Sequence, residues 1–149
     1  MGGEVTLRLS DAMADEIRRH GELAYPAECC GVLAGRAGET KEVVRLVPMN
    51  NRRTDDPHRY LIAPDDLRRT ISELRGSELE VLGYYHSHPD HPAAPSAFDT
   101  EHAWPWYSYI IVRVNRGHAA ELASWVLEDD RSAMSRESLE VFSEVLPCR

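Results

Sequence analysis

Strand-type and helix-type patterns alternate along this chain, and that alternation restricts it to a sheet packed with helices. Residues 5–9, Val-Thr-Leu-Arg-Leu, alternate apolar and polar as a strand with one buried face does. Ser10 offers an N-cap for a helix reaching about Tyr25, with Ala12, Ile17 and Leu23 among its expected buried positions. Pro26 separates that helix from an apolar strand over residues 30–34, and residues 42–47 read as another. The polar stretch 50–58 contains Pro57 and reads as a loop, with a short strand expected over 60–63. Residues 65–75 carry Leu67, Ile71 and Leu74 at helical spacing, and 80–86 read as a strand. A stiff loop with Pro89, Pro92 and Pro95 leads to a short helix from Ser96. Strands over 107–114 and 121–127 follow, paired through Asn115-Arg-Gly117, and the tail after Asp129 is weakly amphipathic. The 149 residues are expected to form a single domain, its core spanning about 5–128 and its tail 129–149.

Charge and cysteine usage narrow the function classes. The formal net charge is −8, and no long basic run is present, so a phosphate backbone is a poor partner. Of the basic residues only Lys41 is a lysine. Three cysteines, Cys29, Cys30 and Cys148, do not form a disulfide framework, and adjacent Cys29 and Cys30 do not ordinarily pair. A reducing, cytoplasmic setting follows as the expectation. The longest uncharged apolar run, 107–112, is too short for a membrane span. Met1, Gly2 and Thr6 match a myristoylation pattern that arises easily by chance, and no signal peptide is expected.

The chemistry concentrates at Tyr85-His-Ser-His-Pro89. In a strand, His86 and His88 project from one face with Cα atoms ~6.5–7 Å apart, close enough for two imidazoles to converge on one ion. Ser87 points the other way. Asp99, returned by the proline-rich loop, can add a carboxylate ligand, which leaves a fourth position for water. The competing reading of Ser96 and Asp99 is a helix capping box; for Ser96 both roles are compatible, whereas for Asp99 they compete. Glu28 is the best candidate for a base acting on the water, although the local sequence by itself favours a solvated acid in the turn after Pro26.

These residues, with Pro26-Ala-Glu-Cys-Cys-Gly-Val-Leu-Ala-Gly35, His86-Ser-His-Pro89, seven residues after His88, then Ser96-Ala-Phe-Asp99, resemble the JAMM (MPN+) metalloprotease family over roughly 5–128. The resemblance implies an α/β fold of three layers, a mixed β-sheet flanked by helices and similar to cytidine deaminases. It implies one zinc ion per chain on His86, His88 and Asp99, with Glu28 as proton acceptor and donor and Ser96 steadying the oxyanion. It further implies hydrolysis after the C-terminal Gly-Gly of a ubiquitin-like or sulfur-carrier protein, including release of cysteine from such a carrier. Arg52 and Arg53 are expected to hold the tail of that partner, with ordinary surface charge as the equal alternative. A homodimer is compatible with a sequence that is silent on oligomeric state.

The alternative class is a non-catalytic scaffold of the same fold, which has no physical need for the five site residues together. A zinc deaminase uses His-x-Glu followed by Pro-Cys-x-x-Cys; here His86 is followed two residues later by His88, and no Cys-x-x-Cys is present. Trp104, Trp106 and Tyr107 read as core and strand-start aromatics, His91 as a solvated loop residue. His20, His102 and His118 carry no motif.

Overall fold

The computed structural model describes residues 6–51 and 60–144. Within it, the Ser10 hydroxyl accepts the Met13 N–H at 3.1 Å, satisfying one of the orphan amides of a helix start. This cap passes β1 (Leu7–Ser10) directly into α1 (Asp11–Ala24). β2 (Cys30–Ala37) and β3 (Lys41–Met49) form an antiparallel pair, and α2 (Pro64–Gly76) leads into β4 (Glu80–Pro89). After α3 (Ala97–His102) come β5 (Ser108–Asn115), β6 (His118–Leu127), β7 (Met134–Glu137) and β8 (Leu139–Phe142).

Among the described residues, eight strands make one mixed sheet in the order β7-β6-β5-β4-β2-β3-β1-β8. β4 and β5 are parallel, as are β1 with β3 and with β8, and the remaining pairs are antiparallel. The two outermost strands are separated in the chain only by Ser138, whose carbonyl accepts the Leu7 N–H at 3.0 Å. The sheet must therefore curl until its edges meet, and it curls around α1, which touches six of its strands. Ala14, Ile17 and Gly21 face that concave core. A Cβ at Gly21 would stand 2.9 Å from Val114 Cγ2, so the missing side chain lets α1 lie against β5. Leu9, Ile17, Leu33, Tyr85, Ile110 and Val112 pack there fully or almost fully buried. Burial of aliphatic side chains of this size is worth about 1.5–3 kcal/mol each.

On the opposite face, Tyr84, His86, Tyr109 and Ile111 meet Leu67 of α2 and Phe98 of α3. Helices thus cover both faces of a mixed sheet, the three-layer α/β arrangement expected.

Several local expectations differ. Residues 60–63 form no strand; Ala63 precedes Pro64 and takes an extended conformation (φ −63°, ψ 135°), the geometry proline imposes on its predecessor, before α2 starts. β4 continues to Pro89 instead of stopping at His86 because β5 pairs with it through Pro89↔Val114. Ala12 and Leu23 are exposed, each two positions off the 14–17–21 stripe. Trp104 and Trp106 are 64% and 43% exposed, not core. The stretch read as an amphipathic tail supplies β7 and β8, which close the sheet.

The concave side also holds the chain's sole lysine. Lys41 Nζ donates to the Trp106 carbonyl and, at 3.0 Å, to Ser108 Oγ, and lies 3.6 Å from Glu137 Oε2. Ser124 Oγ donates to the other Glu137 oxygen at 2.8 Å. The two charged side chains are 2% and 3% exposed. Burial pushes the Lys41 ammonium pKa down, and the Glu137 carboxylate opposes that shift.

Candidate metal centre

Because β4 extends past His88, His86 and His88 both lie within it, on the face away from α1. Ser87, between them, points to the α1 side, and its hydroxyl accepts the Cys29 N–H at 2.8 Å. That bond, with Ser87 N–H to Cys29 O at 3.2 Å, ties β4 to the residue next to Glu28. The serine of the His-Ser-His run thus anchors the segment that leads from the candidate base into β2, a role the sequence reading did not foresee.

The chain leaves β4 through Asp90, in the left-handed region at φ 58°. Its N–H donates to Val114 O (2.8 Å), and its carboxylate accepts from the Arg116 N–H and the Tyr25 hydroxyl, both at 2.7 Å. Trp125 Nε1 donates to Ala93 O at 3.0 Å, and His88 Nδ1 donates to Pro92 O at 2.8 Å. The proline-rich loop is thereby held to the sheet as it delivers α3. Ser96 caps α3, accepting the Asp99 N–H at 3.0 Å, while Asp99 Oδ2 accepts the Ser96 N–H at 2.9 Å.

The same Asp99 oxygen lies 3.2 Å from His86 Nε2 and 3.0 Å from His88 Nε2, and the two imidazole nitrogens are 3.2 Å apart. Capping and convergence on the histidines, treated as alternatives from sequence, coexist on one atom. Tetrahedral coordination with ligand bonds of about 2.0–2.2 Å requires donor–donor separations of about 3.3–3.6 Å, so this triangle is close to one face of such a polyhedron. Donor chemistry agrees. The Pro92 carbonyl can only accept, so Nδ1 of His88 carries a proton, and with the ring in its neutral, metal-binding form Nε2 turns a lone pair toward Asp99. A lone pair facing a carboxylate oxygen at 3.0 Å is repulsive without a cation between them. These residues fit a divalent metal, and they are the group of His, Cys, Asp or Glu side chains able to share one among the described residues.

Electrostatics follow the same geometry. Burial by itself would raise the Asp99 carboxyl, but the two imidazoles and the Ser96 N–H hold it well below the usual carboxylate range. Burial pushes the His86 pKa down against the pull of Asp99, which favours the neutral, ligating imidazole.

Two cavities flank the triad. One, of about 380 Å³, is lined by Glu28, His88, His91, Pro92, Pro95 and Ser96. Glu28 is 4% exposed there, and its carbonyl accepts from Asn51 Nδ2 at 3.0 Å. The other, of about 260 Å³, is apolar and carries His86 and Asp99 in its wall beside Tyr60, Leu67, Tyr84, Phe98 and Trp104. Tyr60, which no motif flagged, stacks on His86 with ring centroids 4.6 Å apart. The chain therefore brings Glu28, His86, His88, Ser96 and Asp99 together; Arg52 and Arg53 lie outside the described residues.

The remaining candidates fall away. Cys30 stands opposite His86 in the ladder, and burial pushes its thiol up to about 12 and that of Cys29 to about 11, so neither is an activated nucleophile. His20 bonds the Tyr85 hydroxyl at 2.8 Å, His102 stacks on Phe98, and His118 is exposed.

Comparison with known proteins gives an independent bearing. Residues 10–128 match the family model described as prokaryotic homologs of the JAB domain. A desampylase from Haloferax volcanii is 36% identical over 87 residues, covering 58% of this chain and 62% of that one, so the chain spans less than two thirds of that relative. A CysO-cysteine peptidase from Mycobacterium tuberculosis is 31% identical over 137 residues, covering 91% of this chain and 88% of the relative. The solution structure of a Desulfitobacterium hafniense protein superimposes with a TM-score of 0.81 at 29% identity, covering 93% and 94% of the two chains.

Proposed function

Since this chain belongs to the family of prokaryotic homologs of the JAB domain, we propose that it is a zinc-dependent peptidase or isopeptidase acting after the C-terminal Gly-Gly of a ubiquitin-like or sulfur-carrier protein. The observation that carries the proposal is the convergence of His86, His88 and Asp99 on one point beside a cavity lined by Glu28 and Ser96. Two relatives named for cleaving such carriers or their conjugates support the substrate class.

His86, His88 and Asp99 would hold the zinc, which when bound supplies a Lewis acid that polarises the scissile carbonyl and acidifies a water. Glu28 takes a proton from the attacking water and passes it to the departing amine. Ser96 Oγ already accepts the Asp99 N–H, which leaves its own proton to donate to the developing oxyanion. Arg52 and Arg53 hold the carrier's tail. The whole chain acts as one domain, and the free thiols of buried Cys29 and Cys30 suit a reducing cytoplasm. Among the described residues no helix is long and apolar enough to cross a membrane.

The test is mass spectrometry of a small sulfur-carrier protein extended beyond its Gly-Gly, incubated with wild type and with Glu28→Ala, bound metal being quantified in both. Wild type should trim the carrier to Gly-Gly, and Glu28→Ala should keep its zinc and lose ~10²–10⁴-fold in rate. Zinc in both proteins with no cleavage by either removes the substrate class. Absence of stoichiometric metal from wild type removes the peptidase and leaves the scaffold.

A further inference from the structure

Metal-ligating histidines are ordinarily oriented by a hydrogen bond from the ring nitrogen that does not face the metal. His88 has that bond, Nδ1–H to the Pro92 carbonyl at 2.8 Å. His86 does not: its Nδ1 is buried and finds no hydrogen-bond partner among the described residues. What holds the His86 ring is a face. The Tyr60 ring lies over it with centroids 4.6 Å apart and planes inclined by 26°. Tyr60 is itself fixed at its backbone. Asn51 accepts the N–H of the next residue, Leu61, at 2.9 Å and donates to the Glu28 carbonyl at 3.0 Å. One amide side chain therefore sets the stacking ring and the candidate base relative to each other.

We propose that Tyr60 is the positioning residue for His86, doing by ring stacking what the Pro92 carbonyl does for His88 by hydrogen bonding. This rests on His86 being a metal ligand, as assigned under Proposed function. Without the ring, His86 is free to rotate about its side-chain bonds, and the three-atom triangle loses one corner's definition. The hydroxyl is not required; the aromatic face is.

The variants that separate these statements are Tyr60→Phe, which keeps the face, and Tyr60→Leu, which keeps apolar bulk and removes it. Zinc affinity of the full chain is read by competition with a chromophoric chelator. The chemical shifts of the His86 ring protons are read by NMR in metal-free protein. Tyr60→Phe should bind zinc within about twofold of wild type and retain the upfield ring-current shift of His86. Tyr60→Leu should bind zinc roughly 10–100-fold more weakly, the range for loss of an outer partner, and lose that shift while keeping the wild-type circular dichroism.

Equal zinc affinity in wild type and Tyr60→Leu overturns the proposal, as does a loss in Tyr60→Phe as large as in Tyr60→Leu. If Tyr60→Leu does not fold, the wild-type spectrum still decides: an unshifted His86 ring means that no stacked tyrosine holds it. If wild type binds no zinc, the peptidase reading fails by itself, and the ring-current comparison between wild type and Tyr60→Leu continues to report whether Tyr60 holds His86.

Discussion

Two buried polar clusters lie on opposite faces of one sheet, and they are built to opposite rules. On the concave face, Lys41 brings donors and Glu137 brings acceptors, with Ser108, Ser124 and the Trp106 carbonyl completing the match. On the other face, two imidazole nitrogens and a carboxylate oxygen crowd within 3.2 Å of one another with acceptors in surplus. A cluster whose donors and acceptors balance is finished, and it serves the fold. A surplus of converging acceptors needs a cation, and it serves chemistry. Burial and polarity are alike in both clusters; donor–acceptor balance is what separates them.

The largest effect is expected where the balanced cluster is broken. Lys41→Met leaves Glu137 buried and uncompensated, and urea unfolding should show a loss of about 3–5 kcal/mol. The double variant Lys41→Met/Glu137→Leu should regain most of it, while zinc affinity of the folded protein stays unchanged. Continued weakness in the double variant would mean that packing at Lys41, not charge balance, holds that end of the core. In the unbalanced cluster the signs reverse. Asp99→Asn keeps an oxygen for the Ser96 cap but removes the charge, so zinc affinity should fall by more than about 100-fold, beyond the loss caused by an outer partner. The stability of its metal-free form, followed by thermal unfolding, should change little.

Zinc itself should then distinguish the two faces. At about 100 times its Kd it should stabilise wild type by roughly 2.7 kcal/mol, an increment absent from Asp99→Asn and intact in the double variant of Lys41 and Glu137. The smallest effect concerns the thiols. With pKa values pushed up to about 11 and about 12, Cys29 and Cys30 should resist iodoacetamide at pH 8 in the folded protein and react on unfolding. Peptide mapping after short exposure checks this, and modification of Cys30 in native protein would contradict its burial beside His86.

How much of this was legible in the sequence depends on whether the signal was local. His86 and His88 are two residues apart on a strand, and Asp99 follows Ser96 at a capping interval, so each half of the site could be read from spacing. Their meeting, and the approach of Glu28, depend on Ser87 holding Cys29 and on loop bonds to Pro92 and Ala93, which have no periodic trace. Tyr60 was read as part of a strand; its contact with His86 depends on Asn51, which accepts the Leu61 N–H. Gly21 shows the same limit in the core, since hydrophobicity does not mark a glycine as buried and an apolar count favours Leu23 instead. Residues 134–142 look polar because each strand there has one outward face, and their pairing with both β6 and β1 is a property of the curled sheet.

That closure has a consequence for the order in which a cell can complete the molecule. β1 is made before the other strands of the sheet and finds its inner neighbour once β3 has been made, but its outer neighbour β8 is encoded some 90 residues later. At about 5–20 residues per second, the nascent chain spends roughly 5–20 s with one flank of its first strand bare. Sealing the sheet accordingly waits until β8 has been made. A chain stopped before Leu139 would already carry Glu28, His86, His88, Ser96 and Asp99 and still lack the strand that closes the sheet around α1.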